Sequence, residues 1–268
     1  MSDAPLGGPP VRDRADRGPR LRIPPVLMYH SISPSGEADP HRVRVHPDRL
    51  DRHLRLLRRM GLRGVGLAEL VTAQERGAAA GLVGLTFDDG YTDFLEHAVP
   101  VLARHGMSAT LYVVAGLLGG ENDWDPGPRL RLLDADGVRA VAAAGQEVGS
   151  HTLTHVHLAG ADAATLQREV VGSRRVLEDV LQREVPGFCY PWGEFDAAAA
   201  DAARDAGYDH ACVTGDYLPG DRFALPRFYV APTDTALQVT AKIARHHLRL
   251  RGVPRGPAAG DATRRSAA

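Results

Sequence analysis

The sequence predicts an α/β fold: a closed barrel of about seven parallel strands in a single domain. Short apolar runs alternate with segments of helical periodicity along most of the 268 residues. Strands that alternate with helices form a mostly parallel sheet with crossover connections. About seven such units in one compact segment fit a barrel better than an open sheet, and the length suits one domain of that size.

The predicted strands are short apolar runs bounded by polar or turn-forming residues. In chain order they cover 25–29, 82–87, 109–115, 147–150, 187–190, 211–214 and 228–230.

The predicted helices have apolar residues three and four positions apart, as Leu50, Leu54 and Leu57 do in the first of them. They cover 47–60, 94–105, 138–144, 166–181, 197–206 and 235–250. Pro100 should kink or shorten the second helix, and Gly145 should end the third.

Both ends of the chain differ in composition from this central part. Residues 1–22 and 252–268 are polar, rich in Gly, Pro or Ala, and without periodicity, so we expect them to be disordered around a catalytic domain at 23–251. The first segment lacks the apolar stretch of a secretory signal, which predicts a cytoplasmic protein. No apolar run could span a bilayer.

The overall charge and the cysteines exclude several classes of function. A formal net charge of -1 gives no reason to expect nucleic acid as a partner. Cys189 and Cys212 belong to no CxxC pattern, so we expect two buried thiols without a disulfide framework. The sequence gives no indication of the oligomeric state.

Polar residues follow four of the predicted strands directly. Asp88-Asp89-Gly90 follows one strand, and His151 follows another with His155 four residues later. Pro191-Trp192-Gly193 follows a third strand, and His30 follows the first. Because the carboxyl ends of barrel strands share one face, these residues should form one site.

The adjacent carboxylates can share a site only if the strand ends at them, since strand side chains alternate between faces. Gly90 supplies the freedom for such a turn. Two close carboxylates favour a cation between them. A solvated Asp-Asp-Gly turn remains the alternative.

His151 and His155 offer two imidazoles, but Thr152 replaces the glutamate of an HExxH site. Thr152 and Thr154 favour a turn over a helix, and His157 is expected to be a neighbour. Two histidines and one aspartate suit one divalent metal, for which zinc, cobalt, nickel and iron are all acceptable. The other aspartate can then act as general base toward a water whose pKa the metal lowers.

These motifs resemble those of the polysaccharide deacetylase (NodB-like) family. Thr86–Gly90 and Ser150–His155 match its first two motifs, and the likeness extends over about 25–230. It implies a distorted (β/α) barrel with about seven strands, a metal that is expected to be zinc, and hydrolysis of the N-acetyl group of hexosamines. By position, Asp88 is the general base and Asp89, His151 and His155 are the metal ligands. The backbone N–H of Trp192 would stabilise the oxyanion.

Two departures from the family pattern affect the site. Cys189 occupies the place of the family's usual arginine, for which Arg227 is a candidate substitute. The family's late histidine motif is absent, whereas Leu27-Met28-Tyr29-His30-Ser31 has its form. This resembles the permuted branch that includes the poly-N-acetylglucosamine deacetylases, and the resemblance implies that His30 is the general acid; a histidine that caps a core strand is the alternative. The expected substrate contacts are Tyr190, Pro191, Trp124 and Arg227.

The sequence therefore predicts a metal-dependent N-deacetylase of an acetylated saccharide that is free, polymeric or carrier-linked. One alternative is a metal-dependent esterase or amidase acting on a non-polymeric acetylated substrate. Another is a non-catalytic carbohydrate-binding relative. The presence of all four residues Asp88, Asp89, His151 and His155 argues against the second alternative.

Overall fold

A computed structural model describes residues 23–34, 36, 38–215 and 221–251. The two expected disordered ends, 1–22 and 252–268, lie outside the described residues, and the domain limits stay a prediction. No helix among the described residues is both long and apolar enough to cross a membrane.

The described residues contain ten strands and eight α-helices. The strands are β1 Val26–Tyr29, β2 Ser31–Ile32, β3 Arg44–Val45, β4 Arg63–Val65, β5 Leu82–Phe87, β6 Thr110–Val113, β7 Glu147–Ser150, β8 Gly187–Cys189, β9 His210–Thr214 and β10 Leu225–Tyr229. The helices are α1 Pro47–Arg59, α2 Leu67–Glu75, α3 Val99–His105, α4 Ala135–Ala143, α5 Ala163–Leu166, α6 Gly172–Leu181, α7 Ala197–Asp205 and α8 Ala236–Arg251.

Seven of these strands close into a parallel barrel, as predicted. The order is β1-β10-β9-β8-β7-β6-β5, and β5 pairs with β1 to complete the circle. Leu27 pairs with Phe228 on one side of β1 and with Leu85 on the other. The first strand therefore lies beside the last, which brings the residue after β1 to the face where β10 ends. Strand β4 extends the sheet along the first half of β5.

Several elements differ from the predicted ones. The region 61–81 contains β4 and α2, which we missed because β4 has three residues, one of them Gly64. The predicted helix 94–105 begins with a π-helical stretch, Phe94–Ala98, and Pro100 lies in the first turn of α3, directly after that stretch. Because proline has no amide hydrogen, it breaks the regular pattern of helical hydrogen bonds there. The long helix near 166 also contains a π-helical stretch, Gln167–Val171. Strand β10 begins at Leu225, three residues before the predicted start at 228, and it contains Pro226, a residue that is uncommon within strands.

Two apolar clusters hold the barrel together. The larger one packs the outer faces of the strands against the helices, and it includes Leu27, Phe87 and Phe188. The smaller one joins Val26, Tyr112, Cys189 and Cys212 with residues of α2. Since strand side chains alternate between faces, this second set fills the barrel interior. Both cysteines are free thiols, as predicted.

Helix α2 covers the amino end of the barrel and is fixed there by Glu147, the first residue of β7. One Glu147 carboxylate oxygen accepts a hydrogen bond from Ala68 N at 2.8 Å, and the other has no partner among the described residues. That second oxygen lies 3.8 Å from His210 Nε2, and the Glu147 side chain is 14% exposed. Burial raises the pKa of Glu147 to about 7, although the hydrogen bonds from Ala68 and Thr110 act to lower this pKa.

This raised pKa predicts a pH-dependent stability. The folded state binds the Glu147 proton more tightly than the unfolded state does. The protonated Glu147 therefore adds to the free energy of unfolding below about pH 4.5, and this contribution is lost as the pH rises through about 7. Between pH 5 and 8 the free energy of unfolding of the native chain should fall by about 2–3 kcal/mol relative to Glu147→Gln. Urea unfolding of both proteins at both pH values measures this difference. Glu184→Gln, at an exposed position, is the control, and a pH-independent difference for Glu147→Gln would contradict the prediction.

Candidate active site

The two carboxylates that follow β5 share a sharp turn. Asp89 has a φ of 77° and Gly90 a φ of 84°, so two successive residues adopt the left-handed conformation. A side chain at Gly90 would also approach the Val113 backbone to 3.3 Å. The left-handed conformation costs free energy at Asp89 and is common at functional sites. It brings Asp88 and Asp89 onto the same cavity, which both residues line.

The two histidines follow β7 on a turn, as predicted. Thr152 and His155 have positive φ values of 68° and 58°, and Thr152 Oγ1 accepts from His155 N at 3.0 Å. The buried Glu169 carboxylate accepts from Leu153 N and Thr154 N at 3.0 Å each and from Thr154 Oγ1 at 2.9 Å. Sequence analysis missed Glu169. Its position three residues after Leu166, on the apolar face of its helix, was the available signal.

Asp89, His151 and His155 converge on one point. Asp89 Oδ1 lies 3.5 Å from His151 Nε2 and 3.4 Å from His155 Nε2, which is too long for good hydrogen bonds. Two ligands each about 2 Å from one tetrahedral zinc ion lie roughly 3.4 Å apart. All three side chains are buried. The donor set and its spacing therefore fit a divalent metal.

The surroundings of His151 support this fit. His151 Nδ1 donates to the Cys189 carbonyl at 2.8 Å, which leaves Nε2 free to bind a metal. Burial and the neighbouring His155 lower the pKa of His151 to about 4, so the ring is neutral, as a ligand must be. Burial opposes ionisation of Asp89, but His155, His30 and His151 hold its pKa below the usual value. The Tyr91 hydroxyl also donates to Asp89, a contact that sequence analysis missed.

A second potential donor set, Asp88, His151 and Cys189, is also close enough to hold an ion. Burial raises the pKa of the Cys189 thiol well above its usual value, which disfavours the thiolate that a metal would need. Asp88 is in addition neutralised by a buried arginine. The Asp89 set is therefore the better metal site among the described residues.

That arginine is Arg227, which extends from β10 to Asp88 inside the barrel. Its two terminal nitrogens donate to the two Asp88 oxygens at 2.6 and 2.8 Å, and one of them lies 3.0 Å from Cys189 Sγ. Burial alone would raise the pKa of Asp88, but the guanidinium holds it below its usual value. An arginine therefore pairs with Asp88 although Cys189 occupies the usual arginine position, because Arg227 comes from a different strand, β10.

This pairing corrects one of our expected substrate contacts. The Arg227 side chain is 1% exposed and lies beneath Asp88, so it positions a carboxylate and does not face the cavity. Pro191 is likewise buried and begins a turn, and it does not line the cavity. Tyr190 and Trp124 do line it, although the Tyr190 hydroxyl donates to the Phe223 carbonyl at 3.0 Å.

His30 faces the same cavity as the two aspartates. Its ring lies 6.1 Å from that of Tyr229, centroid to centroid, and its buried Nδ1 has no partner among the described residues. The next residues are fixed by Asp93, whose carboxylate accepts from Ser31 Oγ at 2.5 Å and from Ile32 N at 3.1 Å. A half-buried imidazole is therefore held at the end of β1, as predicted.

The turn after β8 places an indole beside the metal-site histidines. Trp192 has a φ of 61° and is 41% exposed. Its ring contacts the edge of His155 at 5.0 Å and stacks on His157 at 5.1 Å. His157 pairs with Glu194 at 3.1 Å on the surface, so it is a neighbour of the site, as expected. Trp124 stacks on the other side of His155 at 4.3 Å.

Comparisons with known proteins find polysaccharide deacetylases among the relatives of this chain. A family model described as polysaccharide deacetylase matches residues 76–211. YxkH of Bacillus subtilis (strain 168), a candidate polysaccharide deacetylase, is 29% identical over 78% of this chain and 71% of its own length. A chitooligosaccharide deacetylase of Sinorhizobium fredii is 31% identical over 40% of this chain and 45% of its own length.

Solved structures show the same fold. The Streptococcus pyogenes deacetylase PplD in complex with acetate has a TM-score of 0.71 at 22% identity, over 82% of this chain and 98% of PplD. IcaB from Ammonifex degensii has a TM-score of 0.69 at 22% identity, over 84% of this chain and 98% of IcaB. The family model covers just over half of the chain and includes Asp88, Asp89, His151 and His155. With these four residues gathered at the carboxyl end of a closed barrel, the chain belongs to the polysaccharide deacetylase family.

Proposed function

We propose that this protein is a metal-dependent hydrolase that removes the acetyl group from an N-acetylhexosamine unit of a saccharide. The convergence of Asp89, His151 and His155 beside the Asp88–Arg227 pair carries this proposal. The nitrogen and oxygen donors favour zinc as the metal. When bound, such a metal lowers the pKa of water and polarises a carbonyl group.

Asp88 acts as the general base in this proposal. Its ion pair with Arg227, at 2.6 and 2.8 Å, keeps the carboxylate ionised and fixes its orientation toward the cavity. Each carboxylate oxygen has a second lone pair, so the arginine does not prevent an Asp88 oxygen from accepting a proton from the attacking water.

The Trp192 backbone N–H supplies a donor for the carbonyl oxygen of the acetyl group. The left-handed φ of 61° at this residue turns the peptide chain sharply at the edge of the cavity. Gly193 is required beneath it, because a side chain there would approach Thr214 N to 2.7 Å. A fixed N–H that faces the developing oxyanion stabilises it without reorganisation.

His30 acts as the general acid that protonates the departing amine. It lines the same cavity as Asp88 and Asp89 and reaches that cavity from the end of β1. An amine is a poor leaving group unless it is protonated, so the reaction needs a donor at this position.

We therefore expect His30→Ala to lower kcat for an N-acetyl sugar by about 10²–10⁴-fold while the metal content stays unchanged. The loss should be much smaller with an activated acetyl ester, whose leaving group needs no proton. Steady-state kinetics on both substrates measure the difference, and His157→Ala is the matched control. An equal loss on the ester and the amide would show that His30 has a structural role.

Acetate release from a panel of N-acetylated and O-acetylated sugars tests the function as a whole. The proposal predicts release from N-acetylhexosamine saccharides. Release from O-acetyl sugars alone would favour the esterase alternative. Saccharide binding without release of acetate would favour the alternative of a non-catalytic carbohydrate-binding relative.

A further inference from the structure

Two loops form a continuous wall around part of the cavity. The first wall loop, residues 38–44, and the second wall loop, residues 122–131, both contribute side chains to the same cavity as His30 and the metal-site residues. Each loop is fixed internally, and the two loops are joined to each other.

The first wall loop is a hydrogen-bonded turn. The two carboxylate oxygens of Asp39 accept from Val43 N and Arg44 N, at 3.0 Å each, and the Asp39 carbonyl accepts from Arg42 N at 3.1 Å. Arg42 has a φ of 58°. An aspartate that binds its own backbone in this way stabilises a turn, so the loop has a defined shape.

The second wall loop is fixed in a similar way. Asn122 Oδ1 accepts from Leu130 N at 2.6 Å, and the Asn122 carbonyl accepts from the Arg129 guanidinium at 2.5 Å. An antiparallel bridge joins Glu121 to Arg131 at its base. Trp124 extends from this loop to stack on His155.

Three contacts join the first wall loop to its neighbours, one on the side of the second wall loop and two on the side of β10. His41 Nε2 donates to the Pro126 carbonyl at 2.9 Å, which joins the first loop to the second. On the other side, Tyr229 at the end of β10 donates its hydroxyl to the Arg42 carbonyl. Arg42 also donates to Thr233 Oγ1 at 3.3 Å. The wall therefore runs without a break from Trp124, through the first loop, to Tyr229.

The opposite side of the cavity is different. The turn after β8 is held by its own backbone: Gly193 N donates to the Tyr190 carbonyl at 3.0 Å and Glu194 N donates to the Pro191 carbonyl at 3.3 Å. Trp192 lines the cavity there with an indole that is 41% exposed. The cavity volume is about 300 Å³, at the lower end of the range for small-molecule sites. It has room for one sugar ring with its acetamido group.

We propose that the site accepts the terminal N-acetylated residue of a saccharide, and that the rest of the substrate leaves the cavity past Trp192. This inference rests on the proposed deacetylase function. An internal residue carries sugars on both sides and needs a groove with two exits. The wall from Trp124 to Tyr229 closes one of them, and the exposed face of the Trp192 indole can pack against the next sugar ring at the other.

The test maps which residues of a defined oligomer lose acetyl groups. The zinc-loaded protein is incubated with an N-acetylglucosamine pentamer that is labelled at its reducing end, and tandem mass spectrometry locates each free amine. We expect the first amine at one end of the chain, formed more than about tenfold faster than any internal one. Internal amines formed at a comparable rate would overturn the inference and leave the deacetylase function intact. Absence of acetate from every N-acetylated saccharide would overturn both.

A double variant tests whether the wall causes the preference for terminal residues over internal ones. His41→Ala with Tyr229→Phe removes two of the three contacts that hold the first wall loop, one on each side, and leaves only the Arg42–Thr233 hydrogen bond. The ratio of internal to terminal deacetylation should then rise severalfold. His247→Ala, at an exposed position of α8 outside the cavity lining, should leave the ratio unchanged. An unchanged ratio in the double variant would contradict the assignment of the wall.

Discussion

Replacement of both His151 and His155 by alanine should remove the bound metal and reduce acetate release to the background level. Asp89 Oδ1 lies 3.5 and 3.4 Å from the Nε2 atoms of His151 and His155, so the three side chains would hold a divalent ion together, whereas Asp89 alone offers one carboxylate. Structural and catalytic zinc sites need at least three protein ligands. Elemental analysis of the purified variant, together with acetate release, measures both effects.

His157→Ala provides the matched control for this experiment. Like His155, His157 contacts the Trp192 ring. Unlike His155, however, the His157 side chain is 58% exposed and pairs with Glu194. This variant should keep one metal per chain and most of the activity. Stoichiometric metal in the His151/His155 double variant would show that the metal site is elsewhere.

Asp88→Asn should keep the metal and lower kcat by about 10²–10⁴-fold, because an amide cannot accept the proton of the attacking water. The substitution also leaves the buried Arg227 without its anionic partner, and loss of one member of a buried ion pair costs about 3–5 kcal/mol of stability. Thermal unfolding therefore has to accompany the kinetics.

Asp88→Asn combined with Arg227→Met separates the two effects. The methionine removes the unpaired buried charge, so the double variant should recover stability relative to Asp88→Asn while the activity stays low. Turnover within a few-fold of the native protein in either variant would show that Asp88 is not the base.

The barrel was predictable because its strands are buried on both faces and therefore form continuous apolar runs. The predicted ranges 82–87 and 147–150 coincide with β5 and β7. The family is confirmed by the family model. What the sequence could not show are elements such as β4, with three residues, and the π-helical stretches, which depend on packing rather than on local pattern.

The members of the candidate site were predictable where they lie directly after a strand, as Asp88, His151 and His30 do. Contacts made by distant side chains were harder to predict. Arg227 lies 139 residues from Asp88 along the chain, and only the closed barrel brings them together. The first wall loop gave no signal, because its shape depends on hydrogen bonds from Asp39 to its own backbone. The cytoplasmic location and the identity of the metal stay predictions.

Metal-dependent release of acetate tests the central claim most directly. The purified protein is treated with a chelator, its acetate release from an N-acetylglucosamine oligomer is measured, and one equivalent of zinc is then added back. We predict that release stops when the metal is removed and returns with the zinc, and that the His151/His155 double variant does not recover. Equal acetate release by the metal-free and the metal-loaded protein would contradict the account.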